Sequence, residues 1–143
     1  MKTPTDTRLI PKPGFVFTSR SSPYWQRASE GELLLQCCRD CGHLQHYPRS
    51  LCVRCWSHDL DWQQAAGTGT VWTYTVVAIP GHPAWGPHVP YVLALVELDE
   101  GPRLMTNIVA CPPDTVYCGQ AVRLLPGRDE TDNQTLLQFT PIH

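Results

Sequence analysis

A mainly β protein in two parts, a small cysteine-clamped module followed by a five-stranded barrel, is the fold class that the sequence predicts. Three observations carry this expectation. The first is a doubled cysteine pair, Cys38-Arg39-Asp40-Cys41-Gly42 and, after a short connector, Cys52-Val53-Arg54-Cys55, a spacing of C-x2-C-G-x9-C-x2-C. The second is a series of runs rich in β-branched and aromatic residues after Asp61, with no good helix between them. The third is punctuation: 14 prolines and 10 glycines in 143 residues favour turns and short strands over long helices.

Composition narrows the function classes. A hydrophobic content of 42% with 17% charged residues is that of a globular chain, not a disordered one. No apolar run approaches the roughly 20 residues of a membrane span, so no membrane association is expected. The N-terminus lacks the apolar segment of a secretory signal, and thiolate-type cysteine spacing favours a reducing cytoplasm. The net charge of -2 hides an asymmetry. Residues 1–59 carry eight Lys and Arg against five acids, whereas residues 60–143 carry Arg103, Arg123 and Arg128 against eight acids.

In chain order, residues 1–21 hold Pro4, Pro11 and Pro13 with no sustained period and read as an extended arm. Residues 22–59 form the next unit. Ser21 to Gly31 has the punctuation of a short helix: a serine N-cap, Pro23 in the first turn and a glycine past the end. Tyr24 and Trp25 pack this helix onto a neighbour, either as core against the cysteine module or as the wall of a ligand groove. Glu32 to Gln36 enters the module as a strand, and Leu44 to Tyr47 forms another.

Four thiolates from two C-x-x-C turns suit the closed tetrahedral shell of a structural Zn2+, with an iron centre or a redox dithiol as the alternatives. Gly42 suits the positive φ of such a turn. Cys37 is a weaker ligand than Cys38, because pairing it with Cys41 lengthens the turn by one residue. The expected ligands are Cys38, Cys41, Cys52 and Cys55, while His43, His46 and His58 lie near the metal without binding it. A closed four-cysteine site leaves zinc no position for Lewis-acid catalysis.

Residues 60–143 read as the barrel. Thr70 to Ile79, Tyr91 to Asp99, Arg103 to Val109, Gln120 to Leu125 and Thr135 to Thr140 are the five expected strands. Five strands with a long first one fit a Greek-key barrel of the OB type, with an SH3-like barrel as the alternative. No Gly-x-Ser-x-Gly elbow or phosphate-binding loop occurs. Cys111 precedes Pro112-Pro113 with no histidine or basic neighbour in the sequence to activate it; it and Cys118 read as small packing cysteines.

The ordered set of motifs is informative. It runs through Gly31-x-Leu33-x-x-Gln36, Cys38-x-x-Cys41-Gly42, Tyr47-Pro48-Arg49 and Cys52-x-x-Cys55. It continues with Gly69-Thr70-Val71-x-Thr73-Tyr74-Thr75-Val76-Val77 and Pro90-Tyr91-x-x-Ala94-Leu95-Val96-Glu97-Leu98-Asp99-x-Gly101, and ends with Gly119-x-x-Val122 and Phe139-x-Pro141. From about residue 22 onward this resembles the bacterial and archaeal family called domain of unknown function thirty-five. It departs from the family pattern at Tyr47, where proline is common, and in the loop from Pro80 to Pro90.

The resemblance implies a rubredoxin-like zinc ribbon joined to an OB-fold, in a non-catalytic accessory subunit. The implied partner is a thiolase-like enzyme (ketothiolase, aldolase or acyltransferase) that carries the nucleophilic cysteine, or in some complexes a hot-dog-fold hydratase. The subunit then helps form an acyl-CoA site within a hetero-oligomer. In the Pro80 to Pro90 loop, Trp85 offers an apolar face, and His82 and His88 are candidate hydrogen-bond partners for a carboxylate or CoA group; a solvated loop is the alternative. Tyr24 and Trp25 are further substrate or partner candidates. Arg27, Arg39, Arg49 and Arg54 are candidate CoA phosphate contacts. The main rival is a single-stranded nucleic-acid-binding protein, which the acidic barrel half disfavours. A stand-alone enzyme using Cys111 is the third class.

Overall fold

The computed structural model describes residues 18–125 and 136–143, so residues 1–17 of the expected arm lie outside the described residues. The first element is helix α1, Ser22–Ser29, with Ser21 at the N-cap and Pro23 in the first turn. The Ser21 side chain makes no capping bond to the helix; its hydroxyl instead accepts from the Thr18 amide at 3.1 Å. Gly31, at φ 82°, turns the chain out of the helix. Tyr24 and Ala28 are the buried face of α1.

Three antiparallel strands follow in the order β2-β1-β3: β1 Leu34–Cys38, β2 Leu44–Gln45 and β3 Leu60–Gln64. The first is shifted two residues later than expected, which places Cys38 at its end. The third was not expected. Leu60-Asp61-Trp62-Gln63-Gln64 is too polar to read as a strand alone, yet it pairs with β1 in register from Leu34↔Gln64 to Cys38↔Leu60.

The five barrel strands are β4 Thr68–Val77, β5 Tyr91–Leu98, β6 Arg103–Ile108, β7 Ala121–Leu125 and β8 Gln138–Pro141. They close in the order β4-β5-β6-β8-β7, with β6 and β8 meeting in parallel at Ile108↔Phe139, as the sequence led us to expect of an OB-type barrel. Strand β5 alternates strictly between partly exposed and buried residues, the period of a strand with one face in a core. β4 is long enough to pair with β5 along its length and with β7 at Thr68 to Thr70. A register shift between Val71 and Thr73 marks a bulge at Trp72, whose exposed ring lies 3.5 Å from the Arg103 guanidinium carbon.

The barrel interior is filled by side chains, among them Val71, Val96, Leu98, Val122 and Phe139. This cluster is continuous with Tyr24, Ala28 and Leu33 to Leu35, so helix, three-stranded sheet and barrel share one core. Among the described residues no helix is long and apolar enough to cross a membrane.

Candidate metal centre and surrounding loops

Two turns with the same backbone pattern present the four cysteines. In the first, the Cys38 amide donates to the His43 carbonyl at 2.9 Å and the Gly42 amide donates to the Cys38 carbonyl at 2.8 Å. In the second, the Cys52 amide donates to the Ser57 carbonyl at 2.8 Å and the Trp56 amide to the Cys52 carbonyl at 2.9 Å. Both turns need a left-handed residue just after the second cysteine. Gly42 supplies it at φ 72°, but at the equivalent place stands Trp56, at φ 66°. An L side chain pays about 1–2 kcal/mol there. Trp56 is 76% exposed, so burial offsets little of that cost. Trp56→Gly is expected to raise stability by about 0.5–1 kcal/mol, net of the added chain entropy. The urea midpoint of the zinc-loaded variant checks this; an unchanged or lower midpoint refutes it.

The Sγ atoms of Cys38, Cys41, Cys52 and Cys55 all lie within 4.8 Å of one another. Cys38 and Cys55 are 3.5 Å apart and Cys41 and Cys52 are 3.7 Å apart. A tetrahedral zinc with bonds of about 2.3 Å spaces its sulfurs about 3.8 Å apart, so the donor set fits a structural Zn2+. Cys38 and Cys52 are buried while Cys41 and Cys55 are exposed. Cys37 points elsewhere, with its thiol 3.9 Å from the Cys38 carbonyl, and is not part of the group.

Without a cation the four thiols cannot all ionise. Burial raises the Cys52 thiol, but the Cys55 and Arg54 amides and neighbouring thiols outweigh it and bring it to about 7. The Ser57 amide lowers Cys55, yet burial and contacts with the other three thiols push it up to about 12. A dication is what reconciles four thiolates in this space.

Two buried glutamines, which sequence reasoning passed over, place the second turn. Gln36 and Gln45 are cross-strand partners, with the Gln45 amide donating to Gln36 Oε1 at 2.9 Å. Gln36 Oε1 also accepts from the Arg49 amide at 2.8 Å, and its own Nε2 donates to the Arg49 carbonyl at 3.0 Å. Gln45 donates to the Leu51 carbonyl at 3.2 Å and accepts from the Val53 amide at 3.0 Å. The connector on either side of Cys52 is thus hydrogen-bonded to the sheet that carries Cys38. A glutamine at each of two inward positions of an otherwise apolar pair was the available signal. Between the turns, Asp40 accepts from the Ser57 hydroxyl, and Arg39 pairs with Asp61 at 2.9 Å and with Asp59 at 3.8 Å.

Tyr24 belongs to the core, with Trp25 edge-on to it at 5.0 Å between ring centres. Burial, with a smaller contribution from Tyr47, pushes the Tyr24 phenol up to about 12. His46 lies 5.3 Å from the Tyr24 ring and 4.1 Å from that of Tyr47, and burial lowers its pKa from 6.5 to about 4. The folded state therefore holds His46 neutral while the unfolded chain takes up a proton below pH 6.5. Stability falls as pH drops from 6.5 towards 4, by up to about 3 kcal/mol from this group. His46→Phe is expected to flatten the difference in unfolding midpoint across that window; parallel pH profiles for variant and wild type refute the assignment.

The other candidates divide by their partners. Arg27 pairs with Glu30 at 3.0 Å and with Glu32, and Arg39 is paired as described. Arg49 and Arg54 are exposed and make no ion pair among the described residues. Arg54 also lines a cleft of about 520 Å³, with His43, His46, Val53, Glu100 and Pro102 among its walls. His58 Nδ1 is 3.1 Å from the Ser50 carbonyl at the surface.

The Pro80 to Pro90 loop is more ordered than expected, because Pro83–His88 forms a 3-10 turn. His82 Nδ1 accepts from the Ala84 amide at 3.1 Å and caps that turn. Trp85 is half-buried, not an open face, with its ring 5.7 Å from both His88 and Tyr91. Cys111 packs half-buried against the core, and Cys118 is exposed. The structure therefore gathers the four cysteines into one cluster and sets Trp85 beside His88 and Tyr91 in the loop, with Tyr24 in neither group.

Similarity to known proteins follows the same division. Residues 25–61 match the rubredoxin-like zinc ribbon domain of ChsH2, and residues 62–125 match its C-terminal OB-fold domain. A probable enoyl-CoA hydratase alpha subunit of Thermomonospora curvata is 43% identical over 134 residues, 93% of this chain. The chain spans only 40% of that relative's length. A DUF35 domain-containing scaffold protein of Pyrococcus furiosus is 32% identical over 126 residues, covering 85% of this chain and 92% of that protein. A chain of a solved structure described as the Ltp2-ChsH2(DUF35) aldolase superposes with a TM-score of 0.80 at 38% identity, over 90% of this chain and 98% of that one. With its zinc ribbon, closed barrel and scaffold relatives together, the chain belongs to the DUF35 family.

Proposed function

We propose that this chain is a non-catalytic accessory subunit that binds a thiolase-like partner, of the ketothiolase, aldolase or acyltransferase type, and helps form its acyl-CoA site. The observation that carries this reading is the match to a chain of the Ltp2-ChsH2(DUF35) aldolase over 98% of that chain. The half-buried packing of Cys111 against the core suits a structural thiol better than a nucleophile. In this reading Cys38, Cys41, Cys52 and Cys55 hold a structural zinc that keeps the ribbon in shape. Among the four arginines, Arg54 is the best placed to meet a CoA phosphate, because it makes no ion pair among the described residues and lines the cleft. Arg49 is second, while Arg27 and Arg39 are engaged by acids. His88 and Trp85 remain partner-contact candidates as one aromatic edge of the barrel, and Trp25 as the half-buried margin of α1.

Co-expression with a thiolase-like protein encoded beside this chain tests the reading. A stable complex that turns over acyl-CoA, with neither component active alone, is the expected result. A partner fully active and soluble without this chain refutes the accessory role.

A further inference from the structure

We propose that the cysteine cluster is also a site of oxidative modification, at which hydrogen peroxide or a similar two-electron oxidant converts the four metal-binding thiolates into two disulfides that bridge the turns. Two sulfur–sulfur contacts run between the turns. Cys55 lies 3.5 Å from Cys38, and Cys41 lies 3.7 Å from Cys52. Each of these pairs joins an exposed cysteine to a buried cysteine on the opposite turn.

The step balances as follows. An exposed thiolate sulfur attacks peroxide; an S–O bond forms, the O–O bond breaks and hydroxide leaves. The buried thiolate opposite then attacks that sulfur; an S–S bond forms, the S–O bond breaks and a second hydroxide leaves. Each disulfide passes two electrons to one peroxide. In sum, four thiolates, two peroxides and four protons give two disulfides and four waters; a Zn2+ held by Cys38, Cys41, Cys52 and Cys55 would lose its ligands, because a disulfide sulfur is a poor one. The bridges run between the turns, so they replace the metal as the clamp. The oxidised, zinc-free chain thus keeps its ribbon, which the reduced, zinc-free chain does not.

The test uses the full zinc-loaded chain carrying Cys111→Ser and Cys118→Ser, which removes the thiols outside the ribbon and leaves Cys37 beside the cluster. Peroxide is added, released zinc is followed with a colorimetric chelator, and disulfides are mapped by non-reducing trypsin digestion. Arg39 and Arg54 lie inside the two C-x-x-C motifs, so trypsin puts all four cysteines on different peptides. Tandem fragmentation separates Cys37 from Cys38. The expected result is about one equivalent of zinc released, Cys38–Cys55 and Cys41–Cys52 as the main linkages, and recovery with dithiol and zinc. Local Cys38–Cys41 and Cys52–Cys55 linkages, linkages through Cys37, irreversible sulfinic acids, or zinc retained under peroxide each overturn the proposal.

Discussion

Removing the metal under reducing conditions, or replacing Cys38 or Cys52 with serine, is expected to unfold the ribbon while the barrel stays folded but less stable. The ribbon sheet is small: β2 has two residues and β1 and β3 have five each. Structural zinc contributes roughly 10–16 kcal/mol of apparent binding energy in small modules, far beyond what such a sheet supplies. Cys38 and Cys52 are buried, so a serine there also leaves a hydroxyl without solvent. The barrel keeps its own closed ladder, but Leu33, Leu34 and Leu35 belong to the shared core. Their exposure at about 1.5–3 kcal/mol each sets the scale of the barrel's loss. Hydrogen exchange of the β1 and β3 amides against those of β5 and β6, with elemental analysis for zinc, reads the effect. Cys37→Ser is the control and retains one zinc. A reduced, metal-free chain with unchanged protection in β1 and β3 refutes the clamp.

Gly69→Ala is expected to cost about 3 kcal/mol or more, the largest effect of any single methyl considered. Gly69 is pinched between β5 and β7, opposite Leu98 and Val122. A Cβ there would stand 2.2 Å from the Glu97 carbonyl oxygen and 3.0 Å from Leu98 Cα. Both are backbone atoms of a paired strand, so relief requires β4 and β5 to part where the barrel closes. Gly81→Ala, with open space around its Cβ position, is the matched control and is expected to stay within about 0.5 kcal/mol of wild type. Urea midpoints measure both. A loss under about 1 kcal/mol at residue 69 means the strands approach less closely than described.

Local signals in the chain were legible. The cysteine spacing and Gly42 specify the first turn from adjacent residues, and β-branched runs with two-residue alternation specify β4, β5 and β6. The second turn hid its kinship with the first because Trp56 occupies the glycine position. Strand β3 was hard to read because only Leu60 and Trp62 of its five residues are apolar and its pairing is with β1. The Gln36–Gln45 pair, the burial of Trp85 on Tyr91 and the shared core under α1 join residues whose relation is not written in either partner.

By itself, then, the sequence determined the kind of modules, the four cysteines that come together and the absence of familiar catalytic motifs. Only the tertiary structure decided which thiol faces which, which arginines are already paired and how closely Gly69 is packed. Turn chemistry and strand period act over a few residues and survive in any local reading. Contacts across strands depend on register, which exists only once distant segments have closed on one core.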